Sequence, residues 1–242
     1  MLDLVVATRN AHKISEIRAI LGEDSHCYSV NDFPAAPTTI EDASTFGGNA
    51  TKKAVELARW ISASRLSPLV PRPSPLYVLA DDSGLEVDAL GGAPGVHSAR
   101  FAASDGSAGG LPGAFSGNTS DADNNAKLLR LLKDVPLAKR TARFRCVLAL
   151  TPVLAGTRTS SSPVCQADEV ELQTELYEGV CDGRIDFVPR GQGGFGYDPL
   201  FIPEGCEQPF AELGEEVKNK SSHRARALAR LRERLLKRSF AP

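Results

Sequence analysis

LDLVVATRNAHKISEIRAILG, residues 2–22, changes its hydrophobic period in the middle. Residues 2–7 form a short apolar and β-branched run, which is typical of a buried strand. The polar triplet Thr8-Arg9-Asn10 ends that run, and Asn10 is a favoured helix N-cap. Apolar side chains then recur at helical spacing until Gly22 ends the pattern. Those positions are Ile14, Ile17 and Leu21. The chain is therefore predicted to open with a strand, a polar turn and a helix.

The rest of the chain continues this alternation of helices and strands. Helices are predicted over about 45–64, from about Ser120 through Leu132, and from about Ser222 through Leu235. Strands are predicted over 76–80, 142–150 and 170–178, the last two joined by a polar excursion over 151–169. Residues 66–75 and 156–168 are predicted to be inserted surface loops, and the Gly-rich residues 103–118 a flexible segment. The pattern predicts an α/β fold with a central mixed sheet flanked by helices.

Length and composition limit the class of protein. The 242 residues fit one α/β domain, or one domain with two lobes, and 42% apolar content is enough for a buried core. A net charge of −2 gives no global attraction to nucleic acid or to an anionic membrane. The first apolar run is too short for a signal peptide or a membrane span. Five scattered cysteines without a C-x-x-C pair indicate free thiols. We expect a soluble, cytoplasmic protein.

The turn between the first strand and the first helix is a candidate phosphate site. Thr8, Asn10 and Lys13 lie where backbone N–H groups at a helix N-terminus attract anions. The alternative is an ordinary capped helix with an exposed lysine. Lys53 falls on or beside the apolar stripe of the second predicted helix. It either extends along the surface to water or reaches into a cleft to bind phosphate.

The sequence Asp81-Asp82-Ser83-Gly84 is predicted to be an acidic turn at the end of the strand 76–80. Adjacent strand residues point to opposite faces, so the two carboxylates are not expected to act as a close pair. A carboxylate at this end of a strand can hold Mg²⁺, activate water, or do both. A plain Asx-type turn is the alternative. Glu41, just before the second helix, is a further candidate metal ligand or simply complements the helix dipole.

Two later segments could bind a nucleotide base. GQGGFGYDP, residues 191–199, contains G-x-G-x-x-G, but Pro199 and Pro203 exclude the helix that a dinucleotide fold needs. A loop carrying Phe195, Gly196, Tyr197 and Asp198 suits base stacking and N–H recognition, or is a tight structural loop.

The second segment precedes and opens the last predicted helix. Lys218, His223 and Arg224 could donate to a keto oxygen or to phosphate. Alternatively, they belong to a solvated basic helix.

At these residues the sequence resembles the inosine triphosphate pyrophosphatase family, the Ham1-like non-canonical purine NTP pyrophosphatases. The resemblance spans nearly the whole chain in several motifs that occur in the same order. They are 7–13, Thr45-Phe46 with Asn49 and Lys53, 81–90, Pro94-Gly95 with Ser98-Ala99-Arg100, 194–199, 211–213, and Lys218 with His223-Arg224.

The resemblance implies a role for each matched residue. Thr8, Asn10, Lys13 and Lys53 match triphosphate-binding positions. Glu41 and Asp82 match the Mg²⁺ ligands, and Asp82 also matches the catalytic base, which leaves Asp81 to support the turn. Nucleotide-binding positions are matched by Ser83, Phe195, Gly196, Tyr197, Asp198, Lys218, His223 and Arg224. Arg9 and Val217 depart from residues common in the family.

The implied protein is a single NTP pyrophosphatase domain over residues 1–242. Its implied fold is an elongated, two-lobed structure with the active-site cleft between the lobes, usually as a homodimer. The implied reaction converts ITP, dITP or XTP to the monophosphate and pyrophosphate. Arg224 or a backbone N–H could read the 6-keto edge of the base. Alternatives are a Maf-type pyrophosphatase for modified pyrimidine or methylated nucleotides, a nucleotide-binding regulator without turnover, and nucleic-acid binding through the last helix.

Overall fold

The first strand and helix form where the sequence predicts them. Strand β1 spans Leu2–Val6 and helix α1 spans Ala11–Leu21, with Asn10 as N-cap. The Asn10 side chain accepts hydrogen bonds from the backbone N–H groups of His12 and Lys13, and Gly22 ends the helix at a φ of 66°. A side-chain cap thus satisfies two of the orphan N–H groups of the first turn.

The computed structural model describes residues 2–22, 25–64, 75–105, 117–154 and 173–239. After α1 the elements are β2 Ser25–Ser29, α2 Phe46–Ala63, β3 Leu76–Val87, α3 Asp121–Leu131, β4 Thr141–Pro152, β5 Glu175–Ile185, β6 Phe201–Pro203, α4 Phe210–Ser221 and α5 His223–Ser239. Short 3₁₀ helices lie between some of them. Most of the segments predicted as loops, 66–75, 103–118 and 156–168, lie outside the described residues.

Six strands form one mixed sheet in the order β2-β1-β3-β4-β5-β6. Strand β1 is parallel to both β2 and β3, while β5 and β6 are antiparallel. The predicted α/β class with a mixed sheet is therefore confirmed. The sequence reasoning missed β2, β6 and α4.

Helix starts agree closely with the sequence. Thr45 caps α2 and Ser120 caps α3, each by accepting a backbone N–H through its hydroxyl oxygen. Helix α5 begins directly after Ser222, as predicted. No helix in the described part of the chain is both long and apolar enough to cross a membrane.

The acidic segment 81–84 is not a turn, which corrects the sequence interpretation. Strand β3 continues without interruption through Asp81, Asp82, Ser83 and Gly84 to Val87. A strand accommodates these polar residues because distant residues satisfy them. Lys13 pairs with Asp81, and Arg224 donates to Ser83. Strand β5 also runs further than predicted, to Ile185, while 170–172 lies outside the described residues.

The chain divides into two compact units. The first comprises Met1–Asp81 and Leu148–Tyr177, and the second comprises Asp82–Val147 and Glu178–Pro242. The core of the first unit packs the apolar face of α2, including Ala50, Ala54 and Leu57, with Val5 and Val78 of the sheet. The cleft between two lobes, implied by the resemblance, stays a prediction.

The core of the second unit is rich in aromatic side chains. Phe144 lies 4.6 Å from Phe201 between ring centroids, and Phe201 stacks on Phe210 at 5.7 Å. Leu85, Leu128 and Leu132 complete the same cluster. Four cysteines in the described segments, Cys27, Cys146, Cys181 and Cys206, are free, and Cys165 lies outside those segments.

Helix α5 packs closely against β5 at residues 178–180. Arg226 donates to the carbonyl of Val180 at 2.7 Å, and Arg230 donates to the carbonyl of Glu178 at 2.7 Å. Gly179 lies between them, and a Cβ there would collide with the backbone of His223 and Ala227. The missing side chain of Gly179 therefore permits this close approach of helix to strand.

Candidate active site

The loop between β1 and α1 is organised by its own polar side chains. Thr8 accepts the Asn10 N–H at 3.2 Å, and Asn10 accepts the N–H of His12 at 2.9 Å and of Lys13 at 3.2 Å. The loop is therefore a capped helix start, which is compatible both with a phosphate site and with an ordinary capped helix that carries an exposed lysine. The position of the Lys13 side chain distinguishes these two interpretations.

Lys13 turns toward β3 rather than into solvent. Its Nζ lies 2.5 Å from Asp81 Oδ1, with 16% of the Lys13 side chain and none of the Asp81 side chain exposed. A cation in the first turn opposes the helix dipole, and the buried carboxylate compensates for it. The predicted role of Asp81 as a turn support is wrong, because its carboxylate is an ion-pair partner inside a strand.

Lys53 joins the same cluster from α2. Its Nζ donates to the Asp81 carbonyl at 2.8 Å and lies 3.3 Å from Glu41 Oε1, with only 12% of the side chain exposed. A lysine extending to water would be more exposed, so this alternative does not describe Lys53. Two lysines and two carboxylates thus share one polar cluster in the first unit.

The segment that carries Glu41 is anchored by a residue whose role the sequence did not reveal. The buried side chain of Asn49, in the first turn of α2, accepts the Ala43 N–H at 2.9 Å. Asn49 lies on the buried face of α2 because of helical spacing, and a buried Asn needs hydrogen-bond partners. It holds the backbone at Ala43, two residues after Glu41.

The donor set suits Mg²⁺ better than a softer metal. The resemblance implies Glu41 and Asp82 as metal ligands, and carboxylate oxygens are the ligands that Mg²⁺ prefers. Glu41 Oε1 lies 3.3 Å from Lys53 Nζ. Among the described residues there is no group of three or more His, Cys, Asp or Glu side chains that could hold a metal. Mg²⁺ commonly takes only one or two protein carboxylates and completes its shell with water and substrate phosphate.

A second polar cluster lies in the second unit around Asp198. Lys218 Nζ lies 2.5 Å from Asp198 Oδ2, and both side chains are at least 95% buried. The same Oδ2 accepts the Phe195 N–H at 2.9 Å. Lys218 also sits 4.2 Å above the centre of the Phe195 ring. The carboxylate therefore holds Lys218 and the backbone of Phe195, and Lys218 in turn contacts the Phe195 ring.

His223 and Arg224 are buried rather than solvated at the start of α5. Arg224 is fully buried, donates to Ser83 Oγ at 3.0 Å and lies 6.0 Å from the Phe195 ring centre. The His223 ring stacks on Phe144 at 4.7 Å with an interplanar angle of 15°. A purely solvated basic helix is therefore the wrong description of its first turn.

Tyr197 differs from its neighbours in the Gly-rich loop. Its ring belongs to the core, and its hydroxyl donates to the Ser98 carbonyl at 2.9 Å. Burial, reinforced by the charge of Asp121, raises the pKa of the Tyr197 phenol well above its usual range. The Tyr197 side chain therefore has a structural role in the core, as expected for a tight structural loop. Phe195 remains the candidate stacking ring.

Two residues of α3 hold the Gly-rich loop and were missed by the sequence reasoning. Asp121 accepts the Gly196 N–H at 2.6 Å, and Asn125 donates to the Gly196 carbonyl at 3.0 Å. Gly196 adopts a φ of 64°, which favours glycine. The helix dipole already explains an acidic residue in the first turn of a helix, so the sequence around Asp121 did not indicate a contact with the Gly-rich loop.

Comparisons with known proteins agree along nearly the whole chain. The model of the Ham1 family matches residues 4–234. A dITP/XTP pyrophosphatase of Geobacillus kaustophilus is 42% identical over 234 residues, covering 96% of this chain and 94% of that protein. One from Geobacter sulfurreducens is 43% identical over 236 residues and covers 97% of each.

Solved structures give the same result. The Staphylococcus aureus Ham1 protein matches with a TM-score of 0.71 at 30% identity, covering 98% of this chain and 99% of that one. A HAM1 protein from Coxiella burnetii matches with a TM-score of 0.71 at 32% identity, covering 98% of this chain and 100% of that one.

Proposed function

The chain belongs to the Ham1 family, and from this premise we propose that it hydrolyses non-canonical purine nucleoside triphosphates. The substrates are ITP, dITP and XTP, and the products are the monophosphate and pyrophosphate. Relatives named dITP/XTP pyrophosphatases, similar over nearly their full length, support this assignment. The enzyme would remove these nucleotides from the pool used for nucleic-acid synthesis.

The observation that carries the proposal is the pair of lysines at Asp81. Lys13 and Lys53 reach the same residue from different helices, one at its carboxylate and one at its carbonyl. Converging ammonium groups beside a helix N-terminus suit a chain of phosphates. Asp82 directly follows Asp81, so the proposed base lies next in the chain to the residue that both lysines bind.

Catalysis then rests on named groups of this chain. Asp82 accepts a proton from a water molecule as the water oxygen attacks the α-phosphorus, and the bond to the bridging oxygen breaks as pyrophosphate leaves. Lys13 and Lys53 stabilise the negative charge that grows on the leaving group. Thr8 and Asn10 shape the loop that receives the phosphates.

Glu41 and Asp82 are the residues that would hold Mg²⁺. When bound, the ion neutralises phosphate charge and lowers the pKa of bound water. The ion pair of Glu41 with Lys53 keeps that carboxylate compensated until a metal binds. Inhibition by a chelator, reversed by added Mg²⁺, is the expected behaviour.

Base recognition falls to the second cluster. We assign stacking to Phe195, and polar contacts to Ser83, Asp198, Lys218, His223, Arg224 and the backbone of Gly196 and Tyr197. A 6-keto oxygen accepts a hydrogen bond where adenine presents an amino donor, so ATP would leave a buried donor unpaired. Either Arg224 or a backbone N–H could be that donor.

The remaining assignments follow from the same premise. We propose a homodimer located in the cytoplasm, acting on a small nucleotide, with neither nucleic acid nor membrane as a partner. The near-neutral net charge supports the exclusion of nucleic acid. The whole chain would serve as one NTP pyrophosphatase domain.

A nucleotide panel tests the function. Pyrophosphate release is measured with ITP, dITP, XTP, dUTP, 5-methyl-UTP and ATP, each with and without Mg²⁺. The expected result is Mg²⁺-dependent release from the three purine substrates and little from the others. Preference for the pyrimidines would favour a Maf-type activity, and binding without release would indicate a regulator.

A further inference from the structure

Asp81 has no assigned part in the proposed reaction, although it is the residue on which the two phosphate-binding lysines converge. Its carboxylate is completely buried, and its Oδ1 lies 2.5 Å from Lys13 Nζ. The other acid of the cluster, Glu41, pairs with Lys53 at 3.3 Å. Two positive and two negative side chains therefore balance each other in the first unit.

A charged hydrogen bond of this length competes with any other anion for the same ammonium. The Lys13 side chain is 16% exposed, so it is not completely enclosed by protein. An incoming phosphate must share Lys13 with Asp81 or displace it, and in either case the carboxylate repels the phosphate. The attraction of Lys13 for phosphate is reduced by a residue built into β3.

We infer that Asp81 is a positioning residue that limits phosphate affinity at Lys13 and so promotes release of pyrophosphate. This inference rests on the proposed function. Substrate and product both carry the β- and γ-phosphates, so a group that weakens binding of both raises KM and the rate of product release together. Release of product, rather than chemistry, limits turnover in many enzymes. A residue that only supports the strand would not change these quantities in that direction.

Neutralising Asp81 tests the inference. In Asp81→Asn, pyrophosphate binding measured by titration calorimetry is expected to tighten about tenfold, which corresponds to about 1.4 kcal/mol. KM for ITP and kcat should both fall, because product leaves more slowly. Glu233→Gln is the matched control. It removes one acid paired with a lysine, Lys237, at 2.8 Å on the exposed face of α5, and it should leave all three quantities unchanged.

A second neutral variant and a double variant complete the experiment. Asp81→Ser is measured in parallel, with thermal unfolding to identify folded protein. In a Lys13→Met background, the gain from Asp81→Asn should shrink to about threefold or less, since the competed ammonium is gone. The inference is overturned if neither Asp81 variant yields folded protein that binds pyrophosphate more tightly than the unmodified chain, or if the gain is unchanged without Lys13.

Failure of the inference is distinguishable from failure of the proposed function. If the unmodified chain releases pyrophosphate from ITP but both Asp81 variants bind pyrophosphate as it does, only the inference is lost. If no nucleotide of the panel yields pyrophosphate, the proposed function is lost and the inference with it.

Discussion

Replacement of Asp198 by Asn should destabilise the second unit more than any exposed charge change. Asp198 and Lys218 are paired at 2.5 Å with at most 5% of either side chain exposed. The Asn amide keeps the shape and can still accept the Phe195 N–H, but it leaves a buried ammonium without its counter-charge. Removing one partner of a buried pair typically costs about 3–5 kcal/mol.

The contact between Lys218 and the Phe195 ring survives the substitution and offsets part of that loss. We therefore take the lower limit, about 3 kcal/mol. For a chain of this size, about 3 kcal/mol lowers the melting temperature by roughly 6–12 °C. Thermal melting followed by circular dichroism measures the change. The control is Glu216→Gln, which removes the same charge from an exposed acid that pairs with Lys220.

A double variant separates lost charge compensation from lost packing. Asp198→Asn combined with Lys218→Met removes the unpaired ammonium, and replacement of both charges is often neutral. We expect the double variant to regain most of the melting temperature, although not nucleotide binding. The reasoning is wrong if Asp198→Asn melts within about 2 °C of the unmodified protein, below the shift expected from 1 kcal/mol, or if the double variant melts lower still.

Three further predictions concern other parts of the molecule. Asp82→Asn should lower kcat for ITP by ~10²–10⁴-fold while calorimetry shows retained nucleotide binding, and a larger loss in Asp81→Asn would reverse the roles of the two acids. Because burial raises the pKa of Tyr197, its contribution to stability is complete below pH about 10 and is lost as the pH rises further. Urea unfolding measures this at pH 9 and pH 11. Between these two pH values the free energy of unfolding should fall less in Tyr197→Phe than in the unmodified chain. Gly179→Ala should cost about 1–3 kcal/mol, because its Cβ meets the backbone of α5, and an unchanged urea midpoint would contradict this close contact.

Local signals in the sequence were enough to place most helices. The N-cap Asn10 and the apolar stripe after it predicted α1, and the predicted helix starts near residue 45, Ser120 and Ser222 agree with α2, α3 and α5. Helix caps and helical spacing act over one or two turns, so the local sequence contains the information needed to place these helices. Helix α4 was missed because Pro199, Pro203 and Pro209 lead into it and its start has no side-chain cap.

Strand boundaries depended on residues far away in the chain. Asp-Ser-Gly is ordinary turn chemistry, yet Asp81 and Ser83 stay in β3 because Lys13 and Arg224 bind them. Those partners lie 68 and 141 residues away, and no local pattern shows the pairing. The same limit hid the hydrogen bonds of Asp121 and Asn125 to Gly196.

Matching to the family motifs selected residues that the structure brings together in two groups. Lys13, Lys53 and Glu41 cluster at Asp81, and Ser83, Phe195, Asp198, Lys218 and Arg224 cluster in the second unit. The chemistry of single residues predicted charge and polarity but not partners. The pairing of Lys13 with an acid, for example, became visible only in the fold.

The two arginines of α5 that donate to β5 also bear on the behaviour of the protein at high concentration. Unpaired carbonyls along a strand are a template on which a foreign strand can add, the first step of many aggregates. Arg226 and Arg230 donate to the carbonyls of Val180 and Glu178, so residues 178–180 offer fewer free acceptors to a strand of another molecule. Loosening of α5 would expose the stretch, which makes the attachment of this helix a safeguard of solubility during folding and heating.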